Sequence, residues 1–165
     1  MIPCPLVEFE RLVLQNGYGQ EDVRFLKRLL GDFSDFRFVV GRRFAFCPPR
    51  TIVIGPSEPF SRLLALHEVG HAVCKHKWFR MDVTRLKMEN QAWEKARELA
   101  AIYDVEVDEE LVQRELDTYR DWLHQKSRCP ICGLTRFQTP DSRYHCPRCE
   151  EFISLQGHGE RYDHP

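Results

Sequence analysis

Between residues 84 and 103 the chain sets Met88, Ala92, Ala96, Leu99 and Tyr103 at intervals of three and four, so a helix over this stretch gathers them into one apolar stripe. A second stripe, Leu111, Val112, Leu116, Tyr119 and Leu123, predicts another helix from about Asp108 to Gln125. Toward the N-terminus, residues 5–32 carry apolar positions at helical spacing (Val23, Phe25, Leu26, Leu29, Leu30), and Gly17-Tyr18-Gly19 divides them into two short helices. The rhythm differs between residues 36 and 54. Segments 36–40, 42–47 and 51–54 are rich in β-branched and aromatic residues and are broken by Gly41 and Pro48-Pro49, which predicts a small antiparallel sheet. Ser57, Glu58 and Pro59 then read as a cap, an acidic first turn and a proline tolerated there, opening a helix that runs to about Lys75.

After Lys126 the pattern gives way to cysteine, proline and arginine, which divides the chain into a domain over 1–126, a cysteine module over 127–155 and a polar tail over 156–165. Apolar residues at 42% and charged residues at 30% are the mixture of a folded globular chain. A net charge of −1 gives no overall pull toward nucleic acid or anionic membrane. No stretch approaches the roughly 18 consecutive apolar residues that span a bilayer, so no membrane partner is expected and the cytoplasm is the expected address. Of seven cysteines, four fall into two CxxC pairs, while Cys4, Cys47 and Cys74 stand singly. Such usage fits metal binding by reduced thiols better than a disulfide framework.

The helix expected before Lys75 contains His67-Glu68-Val69-Gly70-His71. Two imidazoles four residues apart lie on one helical face, one turn apart, where both reach a single zinc ion. Glu68, at the edge of that face, is placed to take a proton from water without occupying a coordination position. Leu63, Leu64, Leu66 and Val73 give the helix an apolar side, and Gly70 and Ala72 keep bulk away from the metal. A catalytic zinc usually has three protein ligands, and a glutamate of the following helix supplies the third in one large class. Glu89 and Glu94 are the candidates. Glu89 lies 18 residues after His71, enough for a turn near Asp82 and an antiparallel return. Glu94 lies about 140° further around the helix, so only one of the two faces the metal, and the spacing favours Glu89. His76, Tyr103 and Tyr119 are available hydrogen-bond donors for an oxyanion, and the sequence selects none of them; the position of His76 suits a helix C-terminus.

A strand-like segment over 51–54, the HEVGH at 67–71 and the ExxAW at 89–93 together resemble the ImmA/IrrE type of metallopeptidase over roughly residues 20–125. The resemblance implies zinc ligands His67, His71 and Glu89, with Glu68 as base. It also implies a repressor or related regulator as the protein substrate, since such enzymes of phages, mobile elements and stress responses cut regulatory proteins. The cysteine module departs from that architecture and is similar to SprT-like proteases, in which a zinc ribbon follows an HExxH domain. Their third ligand is a histidine, and no histidine here stands between His76 and His124.

In the module, Cys129, Cys132, Cys146 and Cys149 form two CxxC knuckles 13 residues apart, a ligand set for a closed, structural tetrathiolate zinc. Pro140-Asp141 marks a turn between two short strands, as in a zinc ribbon. Arg128, Arg136, Arg143 and Arg148 with Phe137 and Tyr144 form a candidate nucleic-acid patch. Yet residues 127–165 hold five basic and five acidic residues, so substrate capture or docking on a partner is equally open. The expected fold is α+β: a helical, zincin-like minimal metallopeptidase with a small antiparallel sheet before the active helix, plus a C-terminal zinc ribbon. Two zinc ions per chain are expected, one catalytic and one structural. The expected activity is peptide hydrolysis. The rival class is a non-catalytic zinc-binding adaptor or DNA-binding regulator.

Overall fold

The computed structural model describes residues 18–56 and 60–149 and the backbone of 152–153. The helix expected before Gly17, the cap at Ser57, Cys4 and the polar tail lie outside the described residues. The fold is α+β, with four helices and two small three-stranded sheets among the described residues. The helices are α1 (Gln20–Asp32), α2 (Arg62–Val73), α3 (Asp82–Tyr103) and α4 (Glu109–Ser127). One sheet holds β1 (Arg37–Val40), β2 (Ala45–Cys47) and β3 (Thr51–Ile54); the other holds β4 (Phe137–Gln138), β5 (Tyr144–His145) and β6 (Phe152–Ile153). Contacts group the described residues into two compact units. One contains residues up to His76 with Gln91–Val107, the other Lys77–Asn90 with residues from Asp108 onward, and α3 runs through both.

In the first unit the expectation of an antiparallel sheet is corrected. The order is β1-β3-β2; β3 pairs antiparallel with β2 (Phe46 opposite Ile52) but parallel with β1 (Phe38 opposite Ile52). After β1 the chain crosses the end of β3, runs down β2 and returns as a hairpin into the central position. The crossing is tight: a β-carbon on Gly55 would collide with the Arg43 backbone, so only glycine fits there. Ile52 and Ile54 are fully buried on the central strand, and α2 packs over β2 and β3. A hairpin is legible in local turn residues, whereas the parallel pairing depends on where the crossing segment lands.

Helix α2 begins later than the sequence suggests. Its cap is Ser61, whose Oγ accepts a hydrogen bond from the Leu64 N–H at 3.2 Å. Arg62 holds the Asp22 carboxylate at 2.8 Å, joining the starts of α1 and α2. From Ala65 to Ala72 every residue of α2 is buried, so the helix is interior on all sides rather than one-faced, and Val73 is exposed. The stripe predicted for α3 is buried throughout, and Phe25 of α1 packs edge-on against Tyr103 with ring centres 5.7 Å apart. Asp108 caps α4 by accepting from the Leu111 N–H at 3.0 Å. Val112, Leu116 and Tyr119 form the buried face of α4, and Leu111 and Leu123 are half-buried.

Candidate metal centres

The single turn between His67 and His71 brings their Nε2 atoms to 3.1 Å, with ring centres 4.6 Å apart and the planes nearly perpendicular. Around a tetrahedral zinc with Zn–N bonds of about 2.0–2.1 Å, two nitrogens stand about 3.4 Å apart, so this pair is close to a chelating geometry. Glu68 is buried beside them.

Helix α3 answers from the other side. Its approach is set by Gly70, where an added β-carbon would lie 2.5 Å from the Ala92 carbonyl oxygen. The glycine therefore serves helix contact, not open space beside a metal as the sequence suggests. One residue on, the Trp93 indole stacks on the His67 ring at 4.0 Å and 27°. Glu89 precedes Ala92 and Trp93 by three and four residues and so shares their helical face. Ligand atoms of His67, His71 and Glu89 lie within 4.8 Å of one another, and all three residues are buried. Glu94, the other candidate, is exposed.

Beyond this cluster, His76 lies with its Nδ1 2.8 Å from Nδ1 of His71 and its Nε2 3.2 Å from Gln91 Oε1. Motif reading includes Trp93 in the ExxAW without giving it a part, and its distance of four residues from Glu89 places it on the same helical face; Gln91 is not singled out. Tyr103 donates instead to Asp32 at 2.7 Å, and burial, followed by that carboxylate, pushes its phenol above the ordinary range. Tyr119 is buried under the Arg85 guanidinium, 5.1 Å from the ring centre.

The second unit carries the four cysteines. Cys132 and Cys146 sulfurs are 3.5 Å apart, and those of Cys129 and Cys149 4.0 Å, too far for disulfides. A tetrathiolate zinc with Zn–S bonds of about 2.3 Å separates its sulfurs by about 3.8 Å, which matches. All four sulfurs fall within 4.8 Å of one another. Gly133, at φ 72°, turns the first knuckle. Backbone N–H groups of Cys132 and Ile131 draw the Cys129 thiol down to about 6 against the effect of burial. Hydrogen bonding to Cys132, then burial and the other thiols, push Cys149 up to about 12.

No family model, curated protein or solved structure matches the chain.

Of the four arginines in the cysteine module, Arg136 is buried, whereas Arg128, Arg143 and Arg148 are exposed. Arg136 and Tyr144, grouped by sequence into a candidate nucleic-acid patch, are both buried. Arg136 lies over the Tyr144 ring at 5.1 Å and donates to the Lys126 carbonyl at 2.8 Å. Tyr144 donates its hydroxyl to Asp82 at the start of α3 at 2.6 Å, and Lys126 pairs with the same carboxylate at 3.2 Å. Arg143 is engaged by Asp141. Among the described residues no helix is long and apolar enough to cross a membrane.

Both clusters suit zinc by donor chemistry. The first offers two imidazole nitrogens and a carboxylate, a three-ligand set that leaves a coordination position open; the second offers four sulfurs and a closed sphere. Glu68 and Glu89 are both buried acidic residues, and a divalent cation is the kind of partner that makes such burial favourable.

Proposed function

We propose that the chain is a zinc-dependent endopeptidase in which His67, His71 and Glu89 hold the metal, Glu68 is the general base, and the substrate is a regulatory or DNA-associated protein. The observation that carries this reading is the convergence of the two α2 histidines with a buried glutamate of α3, with Glu68 buried alongside. Zinc at such a site supplies Lewis acidity that makes water nucleophilic at neutral pH. Glu68 takes the proton of the attacking water on a carboxylate oxygen and returns it to the leaving amine nitrogen. Trp93, flat against His67, holds the ligand ring and keeps water from one of its faces. The tetrathiolate module leaves no coordination position open and is assigned a structural part. The likeness of HEVGH and ExxAW to ImmA/IrrE peptidases supports a repressor-like substrate.

The deciding experiment is co-expression with candidate DNA-binding regulators, comparing wild type with Glu68→Gln. Cleavage should fall by about 10²–10⁴-fold in the variant. Its metal content should stay unchanged. A cut that survives the substitution, or a fully metal-loaded wild type that binds a regulator without cleaving it, would replace the peptidase with an adaptor.

A further inference from the structure

Helix α2 ends in a turn that folds the chain back on the metal face. Cys74 caps the helix, Lys75 adopts φ 56°, and Lys75 N–H donates to Ala72 O while His76 N–H donates to His71 O, both at 3.1 Å. This pair of bonds closes a helix on a left-handed residue. Glycine is usual at that residue, because the left-handed conformation crowds the β-carbon of an L-residue. What the turn ordinarily delivers is an apolar contact between the residue after it and the last turn of the helix. Here both partners are histidines, with ring centres 5.0 Å apart.

The protons on this pair follow from both ends. A neutral imidazole carries one N–H. If Nε2 of His71 offers its lone pair to a cation, Nδ1 carries the hydrogen and donates to His76 Nδ1, 2.8 Å away. His76 is then an acceptor at Nδ1 and carries its hydrogen on Nε2. That nitrogen faces the Gln91 Oε1, an acceptor, at 3.2 Å. Starting from the glutamine gives the same assignment.

We infer that His76 and Gln91 are positioning residues for the metal ligand His71, locking it in the tautomer whose Nε2 binds the cation and strengthening that nitrogen as a donor. The inference rests on the metal reading of His67, His71 and Glu89, and is independent of whether the site cuts peptides. Outer partners of this kind usually accept through a carboxylate or carbonyl. An imidazole relays instead, and the end of the relay, Gln91, is exposed and open to substitution without disturbing the core.

The test uses the full chain with its cysteine site zinc-loaded, titrating zinc into the histidine site against a chelator, for wild type, Gln91→Leu, Gln91→Glu and His76→Phe. Gln91→Leu should weaken zinc binding by about 10-fold and His76→Phe by about 10–100-fold. Gln91→Glu, a stronger acceptor, should tighten it, an opposite response that loss of packing does not produce. Long-range proton–nitrogen NMR of the zinc-loaded protein should show His71 protonated on Nδ1 and His76 on Nε2. If His71 binds zinc while His76 carries its proton on Nδ1, or if the two Gln91 variants bind alike, the relay is overturned and the metal site stands. If zinc leaves the His71 resonances unmoved, the metal reading fails and takes the relay with it.

Discussion

Gly70 lies so close to Ala92 that a β-carbon on it would come within 2.5 Å of the Ala92 carbonyl oxygen. The contact is between backbones, so neither side has a flexible group to move aside. Gly70→Ala should force α2 and α3 apart, costing about 1–3 kcal/mol as overpacking does. The site should then lose its metal while the cysteine site keeps its own. Metal analysis together with a thermal melt checks both. An alanine variant that retains two zinc ions and an unchanged melting temperature would mean that the helices do not meet as described.

Glu89 and Glu94 separate the two faces of α3, one buried and the other exposed. Glu89→Ala should leave one of the two candidate sites loaded, that of the cysteines, whereas Glu94→Ala should leave both. Metal-to-protein ratios after desalting read the difference directly. Persistence of two metals in Glu89→Ala would hand the third ligand position to another residue.

Tyr144 is the hydrogen-bond donor that fastens β5 to Asp82, and its phenol is raised above its ordinary value of 10.0, first by burial and then by the Asp82 carboxylate. A phenol whose folded pKa lies above the unfolded one contributes stability that is fully present below about 10 and is lost as pH rises through the folded value. Stability of the wild type should therefore fall as pH climbs above 10.0, and Tyr144→Phe should show a shallower fall from a lower starting point. Chemical denaturation at pH 8 and above measures both slopes. Parallel slopes would remove Tyr144 from the alkaline transition.

At the cysteines, metal competes with protons. With the Cys149 thiol pushed up to about 12, binding at neutral pH must displace its proton, so zinc affinity of the four-cysteine cluster should drop as pH is lowered from 8 to 6. Cys149→Ser should lower the affinity and abolish the closed four-sulfur sphere. Competition with a chromophoric chelator follows this site, and a pH-independent affinity would contradict the assignment.

The local chemistry of the chain was legible because each motif is read within one element. HxxxH needs only helical spacing, the cysteine knuckles need only their separation, and α3 and α4 announce themselves by a stripe of period near 3.6. The angle around one helix shows that Glu89 and Glu94 cannot share a face, and the 18 residues from His71 select Glu89. What stayed hidden depends on neighbours remote in sequence. Nothing local distinguishes Ser57 from Ser61 as a helix cap, or shows that β1 will lie parallel to β3 across Gly55. Arg136 and Tyr144 look like surface residues until the start of α3 supplies a carboxylate for the tyrosine. A lysine at position 75 gives no warning of a left-handed backbone, so the return of His76 to His71 was out of reach of periodicity.

The connections that follow helices are ordinarily where a chain gains or loses residues at little cost. The end of α2 is an exception, because the turn at Lys75 works as a ruler of fixed length between two imidazoles. A substitution that keeps the left-handed backbone at position 75 leaves that measure intact, but a single inserted or deleted residue between Val73 and His76 carries the second ring out of register with the first.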